Sequence, residues 1–223
     1  MTEPDQSLVL LTVRGTLIPK TPEAACKTHN ETAGSPDGIA AARALGDLSH
    51  KVYMPVPGLG AGESELLFLD RWKTAEGIGK FFSDPRVHGM AAQLFSQREG
   101  VVWMPARGAF AFELPAPMAK PGRFLGIVRG SVTTPEHTSD VFRSVLAPKL
   151  SDARRRGQLS HHLFVKIPMP ETSGLEVLGI DEWCDPVGMK EHYDDLSGYE
   201  KGFSDAPQTS VWQQATSGIW SEW

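Results

Sequence analysis

The sequence predicts an α+β fold made of two copies of one β-α-β-β-α-β unit, and three observations carry that prediction. Short motifs recur in the same order: Val13-Arg14-Gly15-Thr16 returns as Val128-Arg129-Gly130-Ser131, Leu48-Ser49-His50 as Leu159-Ser160-His161, Asp70-Arg71-Trp72 as Asp181-Glu182-Trp183, and Val102-Trp103 as Val211-Trp212. The partners lie 109 to 115 residues apart in a chain of 223, so order is kept and only connecting segments change length. Helix-start signals, Thr21-Pro22-Glu23 and Thr134-Pro135-Glu136, fall at matching points of the two halves. A unit that cannot cover its own hydrophobic face does so against its twin, which places two repeats, 8–115 and 123–223, around one core. Ala116 to Gly122, with two prolines and a glycine, reads as the linker.

Each half opens with an apolar strand, Leu8 to Leu17 and Phe124 to Val132. A helix comes after it. In the second half Phe142, Val145, Leu146 and Leu150 share one face. In the first half the helix is interrupted by the Gly-, Ser- and Pro-rich stretch Glu31 to Gly38 and resumes from Ile39 to Leu45. Two strands come next, His50 to Val56 and Leu66 to Trp72 around the turn Gly58 to Gly62, matched by His161 to Ile167 and Leu175 to Trp183. A second helix succeeds each tryptophan, Thr74 to Phe82 continued by Val87 to Phe95, and Pro186 to Tyr193 continued towards Phe203. Each half closes with a strand, Val101 to Met104 or Ser210 to Gln213, and an aromatic extension, Phe110 and Phe112 or Trp220 and Trp223. This order is that of the ferredoxin-like split βαβ motif, whose sheet carries both helices on one face and leaves the other bare.

Composition narrows the function classes. Forty percent hydrophobic and 22% charged residues describe an ordinary globular chain. A net charge of −5 offers no footprint for nucleic acid, and the basic run Arg154-Arg155-Arg156 precedes Gly157, where cations complement a helix C-terminus. Met1 to Ser7 lacks the regions of a signal peptide, and no apolar run approaches the roughly 20 residues that span a bilayer, so the expectation is a cytoplasmic protein without a membrane partner. Cys26 and Cys184 occupy non-equivalent places, which argues for plain thiols and against a metal site.

A strand ending in acid-x-Trp, followed by a helix carrying aromatic or histidine residues, is the further signal: Asp70-Arg71-Trp72 leads to Phe81-Phe82, and Asp181-Glu182-Trp183 to His192-Tyr193. With these motifs the chain resembles the dimeric α+β barrel superfamily, which includes antibiotic-biosynthesis monooxygenases, Dabb barrels, muconolactone isomerase-like proteins and chlorite dismutase-like branches. The resemblance implies two ferredoxin-like repeats packed sheet-to-sheet as a pseudo-dimeric α+β barrel within one chain, with a further homodimer possible but unneeded. It also implies a ligand pocket between sheet and helices.

The candidate catalytic residues are His50, Tyr53, His29 and His161. His50 and His161 hold equivalent positions on the second strand of each half, and alternation groups His50 with Leu48, Val52 and Met54 and against Ser49, Lys51 and Tyr53. Their bland role is to be satisfied by a backbone carbonyl or by a neighbouring Asp70 or Asp181, maintaining the sheet in each half. His29-Asn30 lies beside an irregular loop peculiar to the first half, and Tyr53, the counterpart of Phe164, adds a hydroxyl that could serve a substrate oxygen. The candidate substrate-binding residues are Arg14, Arg129, Trp72, Trp183, His192 and Tyr193. Arg14 and Arg129 interrupt apolar strands and need partners, either Asp70 and Asp181 or a substrate anion. Trp220 and Trp223, read as unmatched, could rim a pocket.

The leading functional expectation is a cofactor-independent lyase, decarboxylase or isomerase acting by general acid/base chemistry on a small aromatic or polyketide-like molecule. The alternatives are a cofactor-independent monooxygenase of phenolic substrates, a non-enzymatic ligand-binding or stress barrel, and a haem protein using His192. No Rossmann fingerprint, P-loop or Cys/His metal cluster appears, and Gly58-Leu59-Gly60-Ala61-Gly62 joins two strands without opening a helix.

Overall fold

The computed structural model describes residues 8–114, 123–168, 174–215 and 219–223. The expectations for Met1 to Ser7 and for the linker 116–122 fall outside them. The chain is α+β, with nine strands and seven α-helices among the described residues, all strand pairs described here being antiparallel. No helix among those residues is long and apolar enough to cross a membrane.

Two compact units are present: 1–104 with 214–223, and 105–213. They do not coincide with the two sequence repeats, because each repeat gives its last aromatic segment to the other unit.

In the first unit the elements are β1 (Val9–Leu17), α1 (Pro22–Glu31), α2 (Pro36–Ala44), β2 (Asp47–Pro55), β3 (Glu65–Trp72), α3 (Ala75–Phe82), α4 (Pro85–Leu94) and β4 (Phe95–Pro105). The sheet order is β4-β1-β3-β2. Thr21, Ser35, Thr74 and Asp84 cap the four helices by accepting from backbone N–H groups, and proline follows three of those caps. The helices expected from Ile39 and Val87 start earlier, at Pro36 and Pro85, because Ser35 and Asp84 cap them there. Leu11, Val13, Ala25, Ala42, Val52, Leu66, Phe68, Trp72 and Ile78 form the buried apolar set of this unit.

In the second unit the elements are β5 (Phe112–Glu113), β6 (Phe124–Val132), α5 (Pro135–Leu146), α6 (Leu150–Arg155), β7 (Gln158–Lys166), β8 (Leu175–Trp183), α7 (Pro186–Asp194) and β9 (Gln208–Gln214). Its strands run β9-β6-β8-β7-β5. One core cluster packs Phe142, Leu146, Leu163, Val132 and Val177 together, and a second holds Ala153, Trp183 and Met189. The basic run closes α6 as expected, and Gly157, at φ +104°, supplies the left-handed turn that starts β7.

One local feature corrects the alternation expected from sequence. Asp47 pairs with Trp72 and Ser49 with Arg71, so Leu48 is an inserted bulge residue; Leu159 is its counterpart between Gln158 and Ser160. Leu48 is therefore 42% exposed instead of lying with His50, and Asp47 takes the buried place on the side of His50. Cys26 and Cys184 are free thiols.

Candidate active site

The register of β2 on β3 sets His50 directly opposite Asp70, and the His50 Nδ1–H donates to Asp70 Oδ1 at 2.7 Å. Helix α1 brings His29 onto the same spot. Its Nε2 lies 3.0 Å from His50 Nε2, and its Nδ1 lies 3.0 Å from Asn30 Oδ1. Two of the histidines singled out from sequence thus meet in one buried chain, Asp70–His50–His29–Asn30. Burial and the neighbouring His50 lower the His29 imidazole to about 4, against a smaller upward pull from Asn30.

Residues 219–223 close over this chain. Trp223 pairs with His50 through both backbone bonds, and the two rings stack with centroids 4.6 Å apart. Trp220 packs on His29 at 5.4 Å. Asn30 anchors the segment, its Nδ2 donating to Ile219 O at 2.7 Å and its Oδ1 accepting from Ser221 N at 2.8 Å. Glu222 accepts from Val52 N at 2.7 Å. Trp223 is not unmatched after all: Phe112 pairs with His161 in the same manner.

Between this sheet face and helices α3 and α4 lies a cavity of about 60 Å³. Val13, Phe68, Phe82 and Met90 are among its apolar walls, and its polar groups include Asp47, His50, Asp70 and Arg98. Three buried polar atoms of lining residues have no hydrogen-bond partner: Asp47 Oδ1, Trp72 Nε1 and Trp223 Nε1. A buried polar group left unmet costs about 1–3 kcal/mol, so such atoms grouped around a cavity mark where a ligand would be held. Asp47 itself is raised to about 7, first by burial and then by the like charge of Asp70, against smaller downward pulls from His50, the Ser49 backbone and, least, the nearby Trp223 indole, whose geometry falls short of a hydrogen bond.

The remaining candidates lie elsewhere. Tyr53, opposite Leu67, is buried on the face of the sheet away from His50 and Phe68. Arg14 alternates away from Val13, which lines the cavity, and forms a bidentate pair with Glu65 at 2.7 and 3.1 Å. Arg129 likewise pairs with Glu176 at 2.7 Å. The expected partners, Asp70 and Asp181, are corrected to these glutamates because cross-strand register puts the two aspartates on the opposite face from the arginines.

In the second unit the equivalent histidine and aspartate have different neighbours. His161 Nδ1–H donates to Asp181 Oδ1 at 2.6 Å. The Tyr193 hydroxyl, seated over Gly126, donates to Asp181 Oδ2 at 2.8 Å and accepts from Trp183 Nε1 at 3.2 Å, so the indole that is unmet in Trp72 is met in Trp183. Burial and Asp181 raise the Tyr193 phenol well above its ordinary value, which keeps it a donor. Phe142 takes the place of His29, its ring 5.6 Å from His161, and Gln158 takes the place of Asp47. Tyr193→Phe should destabilise the protein by about 1–3 kcal/mol in thermal denaturation, because Asp181 and Trp183 both lose a partner.

His192 is 2% exposed, its pKa lowered by burial, with Trp183 and Tyr193 packed on it at 5.2 and 5.7 Å. Its Nε2 is buried without a partner, but those rings enclose it, and a haem could not reach that nitrogen without displacing them. His192 does not fit as the ligand of a haem.

Asp47 is not among the residues that sequence alone singles out. The signal available was the difference between Asp47 and Gln158 immediately before the repeated Leu-Ser-His motif.

No protein-family model and no curated protein matches the chain. Among solved structures it is similar to an anthrone oxidase-like protein, with a TM-score of 0.64 at 13% identity over 95% of this chain and 92% of that one. A mutant chlorite dismutase from Candidatus Nitrospira defluvii superposes with a TM-score of 0.59 at 9% identity, over 96% and 93%. A candidate monooxygenase from Lactobacillus acidophilus NCFM gives 0.55 at 9% identity, over 94% and 93%. Repeated strand order, acid-x-Trp motifs and these superpositions agree on one point: the chain has the fold of the dimeric α+β barrel superfamily.

Proposed function

We propose that the first unit holds a cofactor-independent acid/base site for a small aromatic molecule bearing an acidic C–H or O–H, and that the second unit, built mostly from the second sequence repeat, serves as scaffold. The observation that carries this reading is the set of unmet polar atoms around one apolar cavity: a carboxyl on Asp47 and two indole N–H groups on Trp72 and Trp223. Asp47, raised to about 7, has the proton affinity a general base needs near neutral pH. It takes the substrate proton. The indole N–H groups donate to the oxygen on which negative charge develops, in surroundings where water cannot compete.

The fate of the carbanion left by proton removal distinguishes the lyase or isomerase expectation from the monooxygenase alternative. Reprotonation at another carbon gives isomerisation; decarboxylation reaches a carbanion from the other side, the C–CO₂⁻ bond breaking to leave its electron pair on carbon, which is then protonated by the acid form of Asp47. Reaction of the carbanion with dioxygen converts a CH₂ to a C=O, one oxygen entering the product and the other leaving as water. The fold shared with an anthrone oxidase-like protein and a candidate monooxygenase favours the dioxygen route.

A cavity of about 60 Å³ is below the roughly 300 Å³ at which drug-sized ligand pockets begin, so a two- or three-ring substrate requires Phe82 and Met90 to move aside. Anthrone in aerated buffer tests the reading: the expected result is quinone absorbance growing with matching oxygen consumption in wild type. Anthrone and simple phenols left unbound and unchanged by the wild-type protein would overturn it.

A further inference from the structure

The hydrogen bonds around His29 and His50 fix a proton count. Asn30 Oδ1 accepts from the backbone N–H of Ser221, and Asn30 Nδ2 donates to Ile219 O, so the orientation of that amide is determined by main-chain groups on both sides. The oxygen facing His29 Nδ1 can therefore only accept, and His29 must carry its proton on Nδ1. At the other end His50 Nδ1 faces the carboxylate of Asp70 and donates to it. Two neutral rings arranged in this way would confront each other with bare lone pairs on Nε2 atoms 3.0 Å apart. Buried at 0% and 4% exposure, neither ring has water to turn to.

We infer that His29 and His50 share one additional proton in an Nε2–H···Nε2 bond, so that the chain Asp70–His50–His29 is a net-neutral unit holding a stored positive charge beside the cavity. The count is the same whether the charge rests on His50 or the proton next to Asp70 shifts to the carboxyl. His29 is then a positioning residue. It does not itself line the cavity but stands behind His50, which does, and it holds His50 as a cation that neutralises Asp70 and lets Asp47 ionise a few residues away. The second unit lacks this device, since Phe142 stands where His29 does and His161 Nε2 is left without a partner. Asp70 from β3 bonds to the pair and Asp47 from β2 and Arg98 from β4 line the cavity with His50, while on the adjoining elements Cys26 of α1 donates to Ile219 O and Glu222 of the closing segment accepts from Val52 N. The pair's role in turnover rests on the acid/base reading above, whereas the proton count does not.

Long-range ¹H–¹⁵N NMR on the full chain labelled at histidine reads the count directly at pH 7. The expected result is one strongly deshielded, exchange-protected proton coupled to a histidine Nε2, absent from His29→Phe and retained in Asp47→Asn. Two singly protonated rings with no such proton in wild type would overturn the inference. For turnover, His29→Phe and His29→Gln should each lower kcat by about tenfold to a hundredfold with KM within about threefold. In both, the acid limb of the pH profile should move to higher pH, since Asp47 loses a cation and holds its proton more tightly. A purely structural His29 would leave that limb in place, which would overturn the role. Should the shared proton be found but no aromatic substrate turn over, the acid/base reading falls and the proton count stands. Should Asp47 prove essential without the shared proton, the reverse holds.

Discussion

Asp47→Asn should lower kcat/KM by about two to three orders of magnitude while the protein remains folded, because the amide keeps the shape of the carboxyl and cannot accept a proton. Circular dichroism identical to wild type, together with the kinetic loss, checks it. Turnover retained within about fivefold would remove Asp47 from the chemistry.

The same substitution should raise stability above neutral pH, and the sign comes from proton binding. With Asp47 raised from 3.8 to about 7, the folded protein holds a proton between those values that the unfolded chain has released. Stability contributed by this group is complete below pH 4 and declines as pH rises through 7, where a buried anion must be accommodated next to Asp70. Asparagine carries no such charge. Thermal unfolding of the variant should match wild type below about pH 4 and exceed it at pH 8 by about 2–4 kcal/mol. His29 acts in the opposite sense and in a partly overlapping window: its depressed value costs stability as pH falls from 6.5 towards 4 in both proteins, so it cancels in the comparison. An active-site group that destabilises the fold where it works is a common trade between activity and stability.

Repetition and periodicity encode the part of the molecule that was legible in the sequence. The recurrence of Leu-Ser-His and acid-x-Trp brought Asp70 and Asp181 forward as one of two possible partners for His50 and His161, and the matching register of the adjacent strands makes them the partners. The caps at Thr21, Thr74 and Thr134 lie where Thr-Pro and Trp-x-Thr spacings put them. His29 was marked by standing outside the repeat, and the fold brings it to His50. Asp47 was hidden by a single inserted residue: the bulge at Leu48 reverses the parity of every position before it, and no local pattern announces a bulge. Parity also misplaced the arginines, since Arg14 and Asp70 look like neighbours along paired strands while their side chains leave opposite faces. The exchange of terminal aromatic segments was illegible for a different reason. Phe112 and Trp223 are equivalent in sequence, but which His-bearing strand each one covers depends on where the chain has gone meanwhile.

Gly188→Ala should be among the most damaging single-methyl substitutions, although alanine is the better helix former by about 1 kcal/mol. Gly188 and Gly77 are the third residues of α7 and α3, and each helix start lies against the turn that ends the preceding helix. A Cβ on Gly188 would stand 1.9 Å from Arg156 O, and one on Gly77 would stand 2.2 Å from Leu45 O. A backbone carbonyl cannot rotate away as a side-chain tip can, so the helix start must lift, loosening its cap on Asp185 or Thr74. Overpacking of this kind outweighs the propensity gain and should cost about 2–3 kcal/mol net, a fall of roughly 5–10 °C in Tm for a chain of this size. Gly79→Ala, in the same helix as Gly77 with open space around its Cβ, should instead be neutral or slightly stabilising. The two clashes differ in one consequence. Leu45 lies two residues before Asp47, so Gly77→Ala should displace the general base and lower kcat as well as Tm, while Gly188→Ala, beside Gln158, should lower Tm with kcat within about twofold at permissive temperature.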